Sequence, residues 1–397
     1  MKRVAIVSNS AFNIYNFRLN LANFIRDRGY EIFFVAPKDE FTSKIVKEGY
    51  FIEDVFINPK GNNPLEDKKT IDDFKTIYEK YKPDLILNYT IKPNIYSSLA
   101  ANSLQIPVIN TVTGLGTVFI EESFVTDLVK ILYKIAFKRA YKIFFQNFYD
   151  MDFFIKNSIV KKEKATVVAG SGVDTVRFSP KEKNKNLDKF VFLFIGRVIK
   201  DKGVIEYIKA AEILKKKYKN VEFQILGSLN AENKTLISRK KMYDMINSGA
   251  VTYLGSSFRV EEVIRNCDCV VLPSYREGLP KSLLEGASMQ KPLIATNVVG
   301  CRDVVEDGVN GLLCEVKDHL SLAGACEKMF LMDRKKREAM GRRAREIVLE
   351  RFDEKIIYNK YIQEIEKIVP VRLKFRLKGS YFSSSYSNNL KLAYKKI

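Results

Sequence analysis

Two periodicities alternate along the chain. Short runs dense in β-branched and aromatic residues recur at 3–8 (RVAIVS), 31–36, 51–57, 84–88, 107–112, 142–146 and 165–169. Between them, at 16–28, 67–81, 93–105 and 123–138, apolar residues return every three or four positions. The first pattern is that of buried strands and the second that of amphipathic helices. Strand and helix alternating at this spacing predict a parallel sheet covered on both faces. The pattern stops at GSGVDTVRFSP (170–180) and the charged KEKNKNLDK (181–189), then restarts with strands at 190–196, 221–227, 250–255, 267–273 and 291–296. Helical pattern follows at 318–332, 334–350 and 353–369. The expected architecture is α/β, with two doubly wound Rossmann-like domains, 1–180 and 181–352, facing across a cleft. Residues 353–370 form a helix crossing back to the first domain, and 371–397 a basic, aromatic tail.

A chain of 397 residues is long enough for two cores, and 46% hydrophobic content excludes general disorder. The five cysteines lack paired CxxC spacing, which argues against a zinc site or a disulfide framework. The apolar run Val4–Val7 is too short for a signal peptide, and no uncharged run is long enough to span a bilayer. A cytoplasmic protein, at most peripheral on the inner membrane face, is expected. The formal charge of +20 asks for an anionic partner, and it is clustered. Residues 371–397 hold seven basic residues and no acidic one, and 123–142 hold five basic residues and one acidic. Within 123–142, Phe124, Leu128, Ile131, Leu132 and Ile135 form an apolar stripe beside Lys130, Lys134 and Lys138. That is the pattern of an interfacial helix on anionic lipid, or of an ordinary helix whose apolar face enters a core. No nucleic-acid-binding module accompanies the basic tail, so nucleic acid is not expected as a partner.

In open parallel sheets, ligands bind beyond the carboxyl ends of the strands. The strand at 190–195 exits into GRVIKDKG, where Arg197 and Lys202 flank a helix start; this suits a diphosphate, or is a solvated basic loop. The strand at 267–272 exits into PSYREGLPKSLLE. Pro280 suits a first helical turn, leaving the N–H groups of Gly278, Leu279, Lys281 and Ser282 free for the cleft. Leu283, Leu284 and Ala287 can face the sheet, with Glu285 on the flank. Glu277 on the turn suits sugar hydroxyls and Glu285 a ribose diol; alternatively one is a capping acid and the other a solvated partner of Lys281.

The order GRVIKDKG, QILG, VTYLG, LPSYREGLPKSLLEGASMQKPLIAT, DGVNGLL resembles the retaining glycosyltransferases of family four, which have the GT-B fold. The resemblance extends to about residue 369 and is strongest over 190–350. It implies that Arg197 and Lys202 hold a donor diphosphate and stabilise its departure. It implies that Glu277 contacts the transferred sugar and Glu285 the ribose, and that the turn amides from Gly278 onward hold sugar and diphosphate. Gly227 and the stretch around Tyr253 would surround the base. The reaction implied is transfer from a UDP-sugar with retention, without a metal or other cofactor. The segments NYTIKPNIYSSLAANS (88–103), VTGLGTVF (112–119) and VGCRD (299–303) resemble bacterial enzymes that extend saccharides on undecaprenyl diphosphate. These include N-acetylgalactosaminyltransferases of protein N-glycosylation and O-antigen and capsule enzymes. A polyprenyl-diphosphate-linked acceptor and an anionic membrane surface, met through 123–142 and 371–397, are then the expected partners.

The N-terminal half departs from the family pattern. The usual glycine pair after the first strand is replaced by SNSAFN (8–13), leaving Asn9 and Ser10 to approach a ligand. Where many members carry a histidine near the reacting sugar, the chain reads NTVTGLG, so Thr113 and the backbone at Gly114 take that place. The single histidine, His319, falls at a helix start. Cys301 is expected to be a small filler rather than a nucleophile. Asp150–Met151–Asp152 spells a DxD triplet, which binds manganese in a different transferase fold; it lies outside the donor half and no metal role is expected. A UDP-sugar 2-epimerase of the same fold would need acid–base residues at the sugar, and a non-enzymatic descendant would not need Arg197, Lys202, Glu277 and Glu285.

Overall fold

The computed structural model describes residues 1–58, 63–115, 124–182, 189–229 and 239–371, with backbone alone at 124–125 and 239–242. Seven strands form the first sheet: β1 (Lys2–Val7), β2 (Tyr30–Val35), β3 (Phe51–Glu53), β4 (Leu85–Tyr89), β5 (Val108–Val112), β6 (Lys142–Phe145) and β7 (Ala165–Val167). Their order is β3-β2-β1-β4-β5-β6-β7. Six form the second: β8 (Phe190–Ile195), β9 (Val221–Leu226), β10 (Thr252–Tyr253), β11 (Cys269–Leu272), β12 (Leu293–Thr296) and β13 (Gly311–Cys314), in the order β10-β9-β8-β11-β12-β13. Every pairing is parallel, and the central strands are buried on both faces, as their unbroken apolar runs require. The fold is α/β with two parallel, doubly wound sheets, as the alternating periods predict.

The strand β13 was not foreseen. Its four residues, GLLC, follow the turn-like Asp-Gly-Val-Asn and are too few to show a period. The helix expected at 16–28 is two helices, Ala11–Phe17 and Leu19–Arg26, because Ser10 caps an earlier start: its Oγ accepts from the Asn13 N–H at 3.1 Å. The helix expected at 93–105 opens with a π-helical turn, Pro93–Ser97, after Thr90 at φ +71°. Beneath it lies a polar core in which Asn88 Nδ2 donates to Asn110 Oδ1 (3.1 Å), and Asn94 Nδ2 to the Thr111 carbonyl (2.9 Å).

Helix Glu354–Ile368, last in the described chain, packs on the first sheet and not the second. Ile357, Tyr361, Ile362 and Ile365 join the cluster built on β1, β2 and β4. The Tyr361 hydroxyl shares a 2.7 Å hydrogen bond with Thr111 Oγ1 on β5, and Tyr30 donates from below to the Val369 carbonyl (2.9 Å). Tyr361→Ala is therefore expected to lower stability by about 3–5 kcal/mol and Tyr361→Phe by about 1 kcal/mol, measured by urea unfolding. An unchanged midpoint in the alanine variant would refute this packing.

Candidate active site

A cavity of about 840 Å³ lies where the carboxyl ends of the two sheets face each other. Asn9 after β1, Thr90 and Lys92 after β4, and Thr113 and Gly114 after β5 line one side. Arg197 and Lys202 after β8, with Glu277 and Gly278 after β11, line the other. Six basic side chains (Lys92, Arg197, Lys200, Lys202, Arg276, Lys317) and two acidic ones (Asp201, Glu277) border it among the described residues. The cavity therefore carries an excess of positive charge, the field an anionic ligand needs.

Lys202 and Glu277 are brought together by the sheet order. The strands β8 and β11 are neighbours, so their exits emerge side by side. The turn Lys200–Lys202 is then fastened to the second exit: Tyr275 N–H donates to the Asp201 carbonyl (2.9 Å), and Ser274 Oγ donates to the same carbonyl (3.1 Å). Gly203 makes this contact possible. Its φ is +71°, and a Cβ there would stand 1.9 Å from the Pro273 carbonyl oxygen. The Lys202 ammonium consequently donates to Glu277 Oε1, with both groups half-buried. The pair stands together on the cavity wall.

Glu285 lies elsewhere. It borders a second cavity of about 180 Å³, together with Asn16, Asn20, Arg177, Phe258, Lys281 and Glu354. Glu285 is buried, and no side chain within hydrogen-bonding distance compensates it among the described residues; burial pushes its carboxyl above the usual range despite Lys281 and Arg177 nearby. Lys281 is not its close partner. The Lys281 ammonium donates across the cleft to the Asn16 carbonyl (2.8 Å), and burial draws its pKa down. Two poorly solvated charges one helical turn apart mark a place where a polar ligand would improve matters.

The remaining candidates divide. Thr113 and Gly114 face the Gly278 turn directly, with Gly114 at φ +124°. Ser10 is engaged as a helix cap and Asn9 alone of that pair borders the cavity. Pro280 occupies the cap before helix Lys281–Ser288, one position earlier than expected; Leu283, Leu284 and Ala287 are buried as anticipated, and Ser282 shares the helix. Leu279 packs toward Gly170 of the other half. Tyr253 donates its hydroxyl to the Gly227 carbonyl (2.8 Å), so this pair fastens one strand exit to another and borders neither cavity. Cys301 is fully buried and burial raises its thiol pKa, consistent with a filler. Asp152 of the DxD triplet pairs with Lys156 (2.7 Å), while Asp150 pairs with Arg276 (3.1 Å). Thr90, Lys92 and Arg276 were not singled out from sequence; only a left-handed threonine and neighbours across the cleft mark them, and neither is visible in one dimension.

Outside the cavities, helix Phe124–Phe137 carries two apolar faces. Tyr133, Ala136 and Phe137 are buried in the core, whereas Leu128, Ile131 and Ile135 are exposed at 45%, 56% and 53%. Leu132 packs on the core and leaves the expected stripe; Phe124 and the tail from 372 lie outside the described side chains. No helix among the described residues is long and apolar enough to cross a membrane.

The raised carboxyl pKa of Glu285 has a measurable consequence. A group whose folded pKa exceeds its unfolded value adds stability at low pH and loses it as pH rises through the folded pKa. Glu285→Gln is thus expected to be more stable than the parent at pH 7, and the gap should close as pH falls below the ordinary glutamate value of about 4.3. Urea midpoints across pH 4–8 test it, and a less stable variant at pH 7 would contradict the burial argument.

Comparison with known proteins places the chain in a family. Residues 3–147 match the family described as glycosyl transferase 4-like, and 176–347 the family described as glycosyl transferases group 1. The chain is 31% identical over 385 residues to the N,N'-diacetylbacillosaminyl-diphospho-undecaprenol alpha-1,3-N-acetylgalactosaminyltransferase of Campylobacter jejuni, covering 92% of this chain and 99% of that one. It is 27% identical to the capsular polysaccharide biosynthesis glycosyltransferase CapM of Staphylococcus aureus, over 76% of this chain and 83% of CapM. Among solved structures, Anabaena HepE in complex with UDP and glucose superimposes with a TM-score of 0.77 at 18% identity, covering 92% of this chain and all of that one. The chain belongs to the retaining glycosyltransferases of family four, with the GT-B fold.

Proposed function

We propose that the protein moves an N-acetylhexosamine, with N-acetylgalactosamine the first candidate, from a UDP-sugar to a saccharide carried on undecaprenyl diphosphate. The process served is bacterial surface-glycan or protein-glycan assembly, such as O-antigen, capsule or N-glycan. The observation that carries this reading is the convergence of Arg197, Lys202 and Glu277 on one cation-rich cavity, opposite Asn9, Thr113 and Gly114. The choice of acceptor and sugar is supported by the relative that matches almost end to end.

In this reading the donor diphosphate meets Arg197 and Lys202, and the sugar meets Glu277 and the Gly278 turn. The nucleoside runs toward the second cavity, where the ribose diol gives Glu285 the hydrogen bonds it lacks. The acceptor hydroxyl enters from the side of Thr113 and attacks the anomeric carbon on the face from which UDP leaves. Charge develops on the departing diphosphate, and two positioned cations in a partly enclosed site stabilise it without a metal or other cofactor. The lipid-linked acceptor brings the protein to a membrane on the cytoplasmic side. There the exposed Leu128, Ile131 and Ile135, flanked by lysines, would dip into an anionic surface.

Incubation with a panel of UDP-N-acetylhexosamines and polyprenyl-diphosphate saccharides is expected to release UDP only when acceptor is present. Silence across a broad donor and acceptor panel would reject the proposal. Lys202→Ala and Glu277→Ala should each lower turnover at least about 100-fold with the fold retained by circular dichroism. Replacing Leu128, Ile131 and Ile135 together by serine should weaken sedimentation with anionic liposomes while leaving turnover on a short-chain acceptor intact. Equal sedimentation would dismiss the helix as the membrane contact.

A further inference from the structure

The residue before Glu277 reaches out of its own half of the molecule. Arg276 Nη2 donates to Asp150 Oδ1 at 3.1 Å; the carboxylate is 1% exposed and the guanidinium 26%. Asp150 sits in the first turn of helix Phe148–Lys156, which follows β6 of the first sheet. Asn147, the cap of that helix, binds Asp150 and also reaches the turn that carries Arg276. Its Oδ1 accepts from the Asp150 N–H (2.7 Å), and its Nδ2 donates to Asp150 Oδ2 (3.1 Å) and to the Gly278 carbonyl (3.2 Å). Gly278 is pressed against the same wall. A Cβ there would lie 2.5 Å from Gln146 Oε1 and 2.6 Å from the Thr113 carbonyl oxygen. Glu277 is thus flanked on both sides, at Arg276 and at Gly278, by groups that the other sheet supplies.

Asp150 is too enclosed to touch a substrate, and its triplet partner Asp152 is held on the exposed side of the helix by Lys156. The two aspartates therefore do not share a ligand. What Asp150 has is a cation supplied by the other half. Burial pushes its carboxyl up while Arg276 pulls it back, so separating the halves would strip a buried carboxylate of its ion pair.

We propose that Asp150 is a positioning residue: with Arg276 and Asn147 it latches the two halves together, so that Glu277 reaches its working place only in the closed molecule. The inference rests on the reading of Glu277 as the group that faces the sugar. Closure and catalytic geometry would then be a single event, because the turn that carries Glu277 is also the turn that the opposite half grips.

Steady-state kinetics of Asp150→Asn, Arg276→Gln and the double variant test it, with melting temperature and the radius of gyration in UDP by solution scattering. Each single change is expected to lower kcat about 10–100-fold with the donor KM nearly unchanged, since a small misplacement of a catalytic group is enough. The double variant should be no worse than the poorer single, the signature of one shared interaction. All three should remain more open in UDP than the parent. Wild-type kcat in Asp150→Asn, or additive losses with Arg276→Gln far the worse, would overturn the latch and assign Arg276 to the substrate directly. Should Asp150→Asn not fold, the half-exposed Arg276→Gln still decides: kcat or closure unchanged refutes the proposal. Glu277→Ala serves as the separate control. Activity retained there overturns the reading of Glu277 and the positioning role that rests on it, whereas closure lost in Asp150→Asn with Glu277 essential supports the latch.

Discussion

A half-buried ion pair between Lys202 and Glu277 organises the cleft. Each group gives the other a close polar partner where solvent is largely excluded, since leaving a polar group unpartnered there is expensive. The pair exists because β8 and β11 are adjacent and because Gly203 lets one turn lie against the backbone of the next. The same arrangement leaves each partner able to trade its contact for a ligand.

The second cavity works by the opposite principle. Glu285 and Lys281 are buried without close mutual pairing, and their pKa values move in the directions that desolvation dictates. In the Lys202–Glu277 pair the protein supplies the partner; at Glu285 it supplies none within hydrogen-bonding distance among the described residues. Such unrelieved burial lowers stability and is retained where a binding function compensates. Several contacts join the halves around the turn at Glu277 and the helix that follows it. Lys281 reaches Asn16, Arg276 reaches Asp150, Asn147 reaches Gly278, and the final helix is seated on the first sheet. The catalytic turn is therefore shared between the halves although its residues belong to one.

Much of this was legible in one dimension. Parallel sheets reveal themselves through runs such as FVFLFI and CVVL, which are buried on both faces and need no knowledge of their neighbours. Arg197, Lys202 and Glu277 stand at strand exits that the same runs locate, and Glu285 lies in the helix that follows the second of them. The GLLC strand escaped notice because four residues show no period, and the break at Arg18 because Ser10 began the helix early. Leu132 and its neighbours on helix Phe124–Phe137 illustrate a different limit. A helix with two apolar faces looks from sequence like one broad stripe, and only packing shows which face the core takes.

The sequence by itself determined the layers and the strand exits, because both depend on local periodicity, and its ordered motifs carried the resemblance to family four. Tertiary structure alone decided that Lys202 pairs with Glu277, that Glu285 belongs to a separate cavity, and that Asp150 of an apparent metal triplet faces Arg276. Those outcomes depend on strand order and on the approach of two sheets, which join residues 75 and 126 positions apart. Spacing along a chain carries no record of such distances once the chain has turned back on itself.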